Sequence, residues 1–363
     1  MRPRSPAGPR VLHVIHRLGD GGADRTLTRL VNARESRSRH ILYSLAPVER
    51  PHERPRRGVP LASGPGTAAP LAAHVAAALR LARGVDVVHG WVSSATPVAA
   101  LVAAALGVPL VLRQPTNIAR ELEVQPWAVG PALAPLRRAF QAADRVVLPS
   151  RALEACTTAV YGPLPTVVIP NAVPPVRHRW EGARQRPCRV RLVFAGRLVP
   201  QKHPLALVEA CLRLPPDVEW SLDLFGDGPL AGEIGARAAA AGASTRIRLA
   251  GFRGNWLKAA VARDVFVLPT RFEGMCNTLL EVAAAGMPIV TTDIPENRVL
   301  FEDGVDARLV PVDDPATLAA ALTELARNTA LRRRLGAGAA RLSARFPFSA
   351  TLRGHDDLYA SLS

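Results

Sequence analysis

Strand-length runs of β-branched and apolar residues alternate with Ala/Leu/Arg-rich helical stretches along this chain, and the alternation occurs twice. In the first half the runs fall at 11–15, 40–45, 85–89, 108–113, 145–148 and 166–169. A Pro/Arg/Trp-rich link from Pro174 to Pro187 interrupts them. The pattern then restarts at 190–195, 219–225, 246–250, 265–268, 288–292 and 308–310. Neighbouring parallel strands need a crossover, and right-handed helical crossovers cover both faces of the sheet. The pattern therefore predicts an α/β protein of two Rossmann-like domains with parallel sheets facing across a cleft. The expected boundaries are 1–172, 173–344 and a terminal helix at 345–363, and 363 residues suffice for two hydrophobic cores.

Within this frame, Arg271-Phe272-Glu273-Gly274-Met275-Cys276-Asn277-Thr278-Leu279-Leu280-Glu281 carries the most chemistry. Val265 to Leu268 reads as a strand ending at Pro269, Gly274 permits a sharp turn, and Asn277 or Thr278 is placed to cap the following helix. Glu273 then lies at the carboxyl end of a strand, where open α/β sheets bind ligands. Glu281 falls about one turn inside the helix. Acidic residues near a helix start are also ordinary dipole partners, so local physics alone leaves both readings open.

Four further segments bear on the choice. Phe194-Ala195-Gly196-Arg197-Leu198-Val199-Pro200-Gln201-Lys202 follows a strand, and Leu224-Phe225-Gly226-Asp227-Gly228-Pro229-Leu230 follows the next. Val147-Leu148-Pro149-Ser150 precedes Val168-Ile169-Pro170-Asn171-Ala172-Val173, and Gly19-Asp20-Gly21-Gly22-Ala23-Asp24 opens the first domain. This ordered set resembles the retaining GT-B glycosyltransferases of family 4, with their E-x7-E motif, G-R-L-x-x-x-K diphosphate loop, G-x-G-P-L turn and G-G-A-E loop. Asp24 stands where Glu is usual, Gln201 where Glu is frequent and His203 where Gly is frequent.

The resemblance implies roles residue by residue. Glu273, Arg197 and Lys202 are expected to be catalytic, with Glu273 at the donor sugar and the two cations on the departing diphosphate. Gly21, Gly22, Gly196, Gly226, Gly274, Met275, Cys276, Asn277, Thr278 and Glu281 are expected to bind the donor, Glu281 through the ribose hydroxyls. The terminal helix is expected to cross back to the first domain. On the acceptor side the family commonly carries a His after the strand that is here Leu110 to Leu112. This chain has Arg113-Gln114-Pro115-Thr116-Asn117 instead, which leaves Gln114 and Asn117 as candidates, with His16 and His89 at predicted strand ends.

Composition narrows the class. All but two of the 46 basic residues are Arg, and one of the two lysines, Lys202, falls in the phosphate slot, where a compact ammonium suits the ligand. Pro204 fits a first helical position beside it. The net charge is +16, concentrated before residue 60. Such a surface suits anionic lipid head groups, acidic substrates or nucleic acid, although codon bias alone would also spread arginines over a solvated face. The aromatic stacking motifs of nucleic-acid binders are missing, so a basic binding protein is the different-class alternative and no nucleic-acid partner is expected.

Val92 to Leu112 is broken by Pro97, Gly107 and Pro109 and reads as a buried helix plus a strand rather than a membrane span. Cys156, Cys188, Cys211 and Cys276 show no C-x-x-C spacing, as expected of free thiols in a cytoplasm. Pro47 to Pro70 holds too many prolines for a helix or central strand. No D-x-D triplet is present for a metal. The resemblance implies retaining transfer from a nucleotide-diphosphate sugar, UDP-sugar foremost, with no further cofactor, and the missing D-x-D makes the expected activity metal-independent. The acceptor would be a surface polysaccharide or lipid-linked saccharide, by an enzyme in the cytoplasm or peripheral at the inner membrane face. A natural-product acceptor, as in antibiotic glycosylation, is the alternative.

Overall fold

A computed structural model describes residues 8–19, 21–48, 54–124, 133–172, 176–182 and 188–363. The chain divides into two units, one running through Asn171 and taking up Phe348–Ser363, the other spanning Ala172–Pro347. Asp20, Val173, half of the predicted link and part of the 47–70 segment lie outside the described residues.

The first unit is built on a parallel sheet of β1 (Arg10–Ile15), β2 (Arg39–Ser44), β3 (Leu61–Ser63), β4 (Val87–Gly90), β5 (Leu110–Arg113), β6 (Arg145–Leu148) and β7 (Thr166–Val168). Their order is β3-β2-β1-β4-β5-β6-β7. Strand β3 was not foreseen. It is three half-exposed residues at the sheet edge, paired Leu42↔Leu61, too short to register as a run. Helix Thr96–Leu106 and β5 divide the apolar stretch as expected, with Gly107 supplying the left-handed residue (φ 63) that ends the helix. Among the described residues no helix is long and apolar enough to cross a membrane.

The second unit repeats the plan with β8 (Arg189–Ala195), β9 (Glu219–Phe225), β10 (Ile247–Gly251), β11 (Val265–Leu268), β12 (Ile289–Thr292) and β13 (Arg308–Val310), ordered β10-β9-β8-β11-β12-β13. Aspartates placed just before strands fix the neighbours. Asp264 accepts from the Arg191 backbone N–H (2.8 Å) and both forks of its guanidinium (3.0 and 2.9 Å), which ties β8 to β11. Asp86 does the same for the Arg10 N–H and Asp144 for the Leu110 N–H, both at 2.8 Å. Each carboxylate satisfies a strand-end donor that would otherwise be orphaned.

Helix Phe348–Leu362 belongs to the first unit. Leu358 and Tyr359 pack with Val11, Val87, Val111, Val147 and Ile169, while Leu352 joins Ile15 and Leu27. Asp356 accepts from Ser36 Oγ (2.9 Å), Ser38 Oγ (2.6 Å) and the Arg37 N–H (2.9 Å). A directed relay runs inward from there. Trp91 Nε1 donates to His13 Nδ1 at 3.0 Å, which leaves the His13 proton on Nε2, 3.0 Å from His40 Nδ1. His40 then donates through Nε2 to Ser36, 2.9 Å away.

Both sheets reverse their order once, at β1/β4 and at β8/β11. Open α/β sheets bind ligands outside the carboxyl ends of the strands at such a reversal. In the second unit the loops leaving those two strands are 196–203 and 269–276, the segments the sequence singles out.

Candidate active site

Loop 196–203 is shaped by backbone contacts with the turn after β9. Gly196 N–H donates to Phe225 O at 3.0 Å and Leu198 N–H to Asp227 O at 2.9 Å. Gly226 has φ 134, and a Cβ there would sit on the Gly196 carbonyl; one on Gly228 would meet the Leu198 backbone. Only glycine allows two loops to approach so closely. The loop then turns back, with Lys202 N–H on Val199 O at 3.0 Å, and enters helix Pro204–Leu212 with Pro204 at its first turn.

Loop 269–276 lies against it. Arg271 N–H donates to Gln201 O at 2.8 Å, Thr270 Oγ1 to the same oxygen at 3.0 Å, and Gln201 Nε2 to Phe272 O at 3.0 Å. These bonds bring the Lys202 ammonium onto the Glu273 carboxylate in a direct ion pair, with the Cys276 thiol 3.9 Å from the nitrogen. The two side chains are 14% and 6% exposed, so the pair is substantially removed from water. Burial disfavours the ammonium, but Cys276 and Glu273 outweigh it and hold the Lys202 pKa above its ordinary value. Burial pushes the Cys276 thiol up, Glu273 adds to the rise, and Lys202 opposes it. A raised thiol pKa makes a poor nucleophile. Arg197 is exposed and donates through Nη2 to Gln201 Oε1 at 3.2 Å.

The helix after this loop is Asn277–Ala284, and Cys276 is its N-cap residue, in extended backbone. Asn277 and Thr278 are therefore its first helical residues, not its cap as the sequence suggested. Glu273 precedes the helix altogether, and Glu281 is 5% exposed within it. Neither is a solvated first-turn carboxylate, which removes the dipole-partner reading. Gly274, Met275, Cys276 and Asn277 are buried and Thr278 is half-buried.

In the first unit, Gly21 is the N-cap of helix Gly22–Asn32, and both glycines are exposed. Asp24 folds back to accept from the Gly19 N–H (3.2 Å) and the Gly21 N–H (3.0 Å). The residue that replaces the usual Glu thus holds its own loop. His16 is half-buried after β1, and burial and then Arg17 lower its pKa, opposed by Asp24. His89 is placed differently from expectation. It is fully buried, with Nδ1 2.7 Å from the Tyr359 hydroxyl and its ring 4.7 Å from that of Trp91. It is a core residue, and the strand-end position alone gave no sign of the helix that covers it. Gln114 is also fully buried, donating to Thr116 O at 2.9 Å, and Asn117 Oδ1 accepts from the Arg120 N–H at 3.2 Å, at the start of helix Ile118–Val124. Beside them Arg113, 2% exposed, donates to Asn171 Oδ1 at 2.7 Å and lies over the Trp91 ring; burial lowers its pKa to about 10.

Gln201 and Arg271, which bind the two loops together, fall inside the motif segments, yet the sequence assigns neither a role.

The chain matches two family models, Glycosyltransferase Family 4 over residues 20–177 and Glycosyl transferases group 1 over residues 189–328. It is 33% identical over 140 residues to the lipopolysaccharide core biosynthesis glycosyltransferase LpsE of Rhizobium meliloti, covering 39% of this chain and 40% of that one. It is 32% identical over 127 residues to an Escherichia coli UDP-Gal:alpha-D-GlcNAc-diphosphoundecaprenol alpha-1,3-galactosyltransferase, covering 33% and 32%. The matches thus span well under two thirds of these relatives. Among solved structures, Anabaena Alr3699/HepE in complex with UDP and glucose superposes with TM-score 0.82 at 19% identity, covering 98% of this chain and 100% of that one. Sucrose-phosphate synthase from Thermosynechococcus elongatus gives 0.84 at 19%, covering 98% and 99%. At that identity the likeness establishes the fold, which is GT-B.

Proposed function

We propose, for a chain that belongs to the family-4-like glycosyltransferases of GT-B fold, that it transfers a sugar from a UDP-sugar to a saccharide acceptor that is polysaccharide or lipid-linked. The observation that carries the reading is the buried Lys202–Glu273 pair, set on the two loops that leave the switch-point strands β8 and β11. The names of the matching relatives support the acceptor class, and the UDP held by HepE supports the donor.

The chemistry follows from charge. A diphosphate leaves as an anion, and fixed donors that meet its developing charge lower the barrier, each worth about 100- to 1,000-fold in rate. Lys202 supplies a point charge, Arg197 a planar fork, and helix Pro204–Leu212 the unpaired amides of its first turn. Glu273, already bound to Lys202, would share that cation with the phosphate and turn its carboxylate to the donor sugar's hydroxyls. Glu281 would accept from the ribose hydroxyls.

Retention is assigned to front-face attack. The acceptor oxygen bonds the anomeric carbon on the face from which the phosphate oxygen departs, and that phosphate oxygen takes the acceptor's proton. No protein nucleophile is needed, in keeping with a Cys276 thiol held protonated. Metal independence rests on the fixed cations and on a sequence without D-x-D.

The test is thermal unfolding of the purified protein with UDP, GDP, ADP and TDP, with and without EDTA. A diphosphate at about a hundred times its Kd contributes about 2.7 kcal/mol, a rise in Tm of roughly 3–4 °C for 363 residues unfolding together. The reading predicts that rise with UDP, unchanged by EDTA and at least halved in Lys202→Ala and Glu281→Ala. No rise with any diphosphate would sink it.

A further inference from the structure

Three described residues of the second unit that carry a Cβ take the left-handed backbone, Cys188, His203 and Asp313, and the last two bond to each other. His203, the residue after Lys202 and the N-cap of helix Pro204–Leu212, has φ 50; Asp313, in the loop after β13, has φ 59. Side chains rarely adopt this region, and glycine is its usual occupant. His203 Nε2 lies 2.9 Å from Asp313 Oδ1, and Arg271 Nε donates to the same oxygen at 2.9 Å. Burial, then Arg271, lower the His203 pKa, with Asp313 and Glu209 opposing; Arg271 Nη2 lies 3.4 Å from the same Nε2, and the shorter 2.9 Å contact to Asp313 Oδ1 assigns the Nε2 proton to that carboxylate. The tie is a hydrogen bond to a carboxylate, directional and short.

Its position matters more than its strength. On the amino side of Lys202, Gln201 is fixed by three bonds to residues 270–272. On the carboxyl side His203 is fixed through Asp313 to Arg271, which belongs to that same segment. Lys202 is therefore held from both neighbours against the loop that carries Glu273. Glycine at 203 would satisfy the backbone and leave the carboxyl side untied.

We infer that His203 is a positioning residue, which with Asp313 and Arg271 fixes the Lys202 ammonium and the first amides of helix Pro204–Leu212 where a nucleoside diphosphate binds. This rests on the donor reading above and extends it to residues that need not touch the ligand.

The experiment is calorimetric titration of wild type, His203→Gly, Asp313→Gly and His203→Asn with UDP and, separately, with uridine. Glycine takes the left-handed backbone without strain, so the first two variants remove the tie and keep the fold. Asn tolerates the same backbone, but its amide nitrogen falls at the level of the ring's Nδ1, roughly 2 Å short of the Nε2 that meets Asp313. UDP affinity is expected to fall about tenfold in both glycine variants, the worth of a weakened charge-assisted hydrogen bond. Uridine affinity and Tm should hold, and His203→Asn, which keeps a side chain but loses the reach to Asp313, should show the same loss as His203→Gly. UDP affinity equal to wild type in both glycine variants overturns the inference, as does a parallel loss for UDP and uridine, which a purely structural role would give. Wild-type protein that binds none of the four diphosphates overturns the donor reading itself, and that outcome is told apart before any variant is made.

Discussion

Lys202 and Glu273 are 71 positions apart in the chain, and their side chains close into one buried ion pair. Such a pair is a poor source of stability, because stripping water from both charges offsets most of their attraction. Removing one partner is different, since it strands the other charge. Lys202→Met or Glu273→Leu alone should destabilise the second unit by about 3 kcal/mol, and the double variant should recover most of that loss. Denaturant unfolding of the four proteins checks it. Additive single losses would show that the pair is not coupled as the geometry requires.

Gly226 tests the scaffold rather than the charges. With φ 134 and the Gly196 carbonyl where a Cβ would go, Gly226→Ala must displace one of the two loops. The change combines backbone strain with a clash against main chain, so a loss of more than about 2 kcal/mol is expected. The diphosphate response should vanish even at temperatures where the variant is folded. A variant with wild-type stability and binding would contradict the close approach.

The sheets were legible because buried parallel strands are continuous apolar runs bounded by Gly and Pro, and each run located above became a strand. What escaped was set by contacts distant in sequence. Strand β3 exists because Leu42 offers an edge to Leu61. His89 looked like a ligand residue until Tyr359 and His355, from the far end of the chain, closed over it. Asp313 carries no motif, and His203 looked like a minor departure from glycine. Only the fold shows that the departure has a partner. Lys202 and Glu273 were individually visible in motifs, while their pairing was not.

Glu281 is buried in helix Asn277–Ala284 one turn beyond its start. If its carboxylate accepts from the ribose hydroxyls, wild-type protein will bind UDP more tightly than 2′-deoxy-UDP. A hydrogen bond to a charged acceptor is worth about 1.5–3 kcal/mol, so a preference of roughly tenfold or more is expected. Glu281→Ala should bind both nucleotides weakly and about equally. A preference that survives the substitution would move the ribose contact elsewhere.

The relay Trp91–His13–His40–Ser36–Asp356 makes a prediction about acid. Each ring in it has one accepting and one donating nitrogen, so a second proton on either would set two donors face to face. Burial first, and neighbouring histidines next, lower the His13 pKa well below 6.5; burial brings His40 to about 4, against the pull of Asp356. His355, at the covering helix, falls to about 3 for the same reason. All these rings bind protons less readily folded than unfolded. Above pH 6.5 they are neutral in both states and stability is flat. Below it the unfolded chain takes up the protons, and each ring removes about 1.4 kcal/mol per pH unit until its folded pKa is reached. Protection of the amides in helix Phe348–Leu362 against hydrogen exchange, taken relative to the free-peptide rate at each pH, should therefore fall steeply between pH 6.5 and 4.5, and little between 8 and 6.5. His40→Asn keeps a polar group at the centre of the relay and removes one titrating ring. It should be less stable at pH 8 but lose stability less steeply in acid; an unchanged acid slope would show that these rings do not set it.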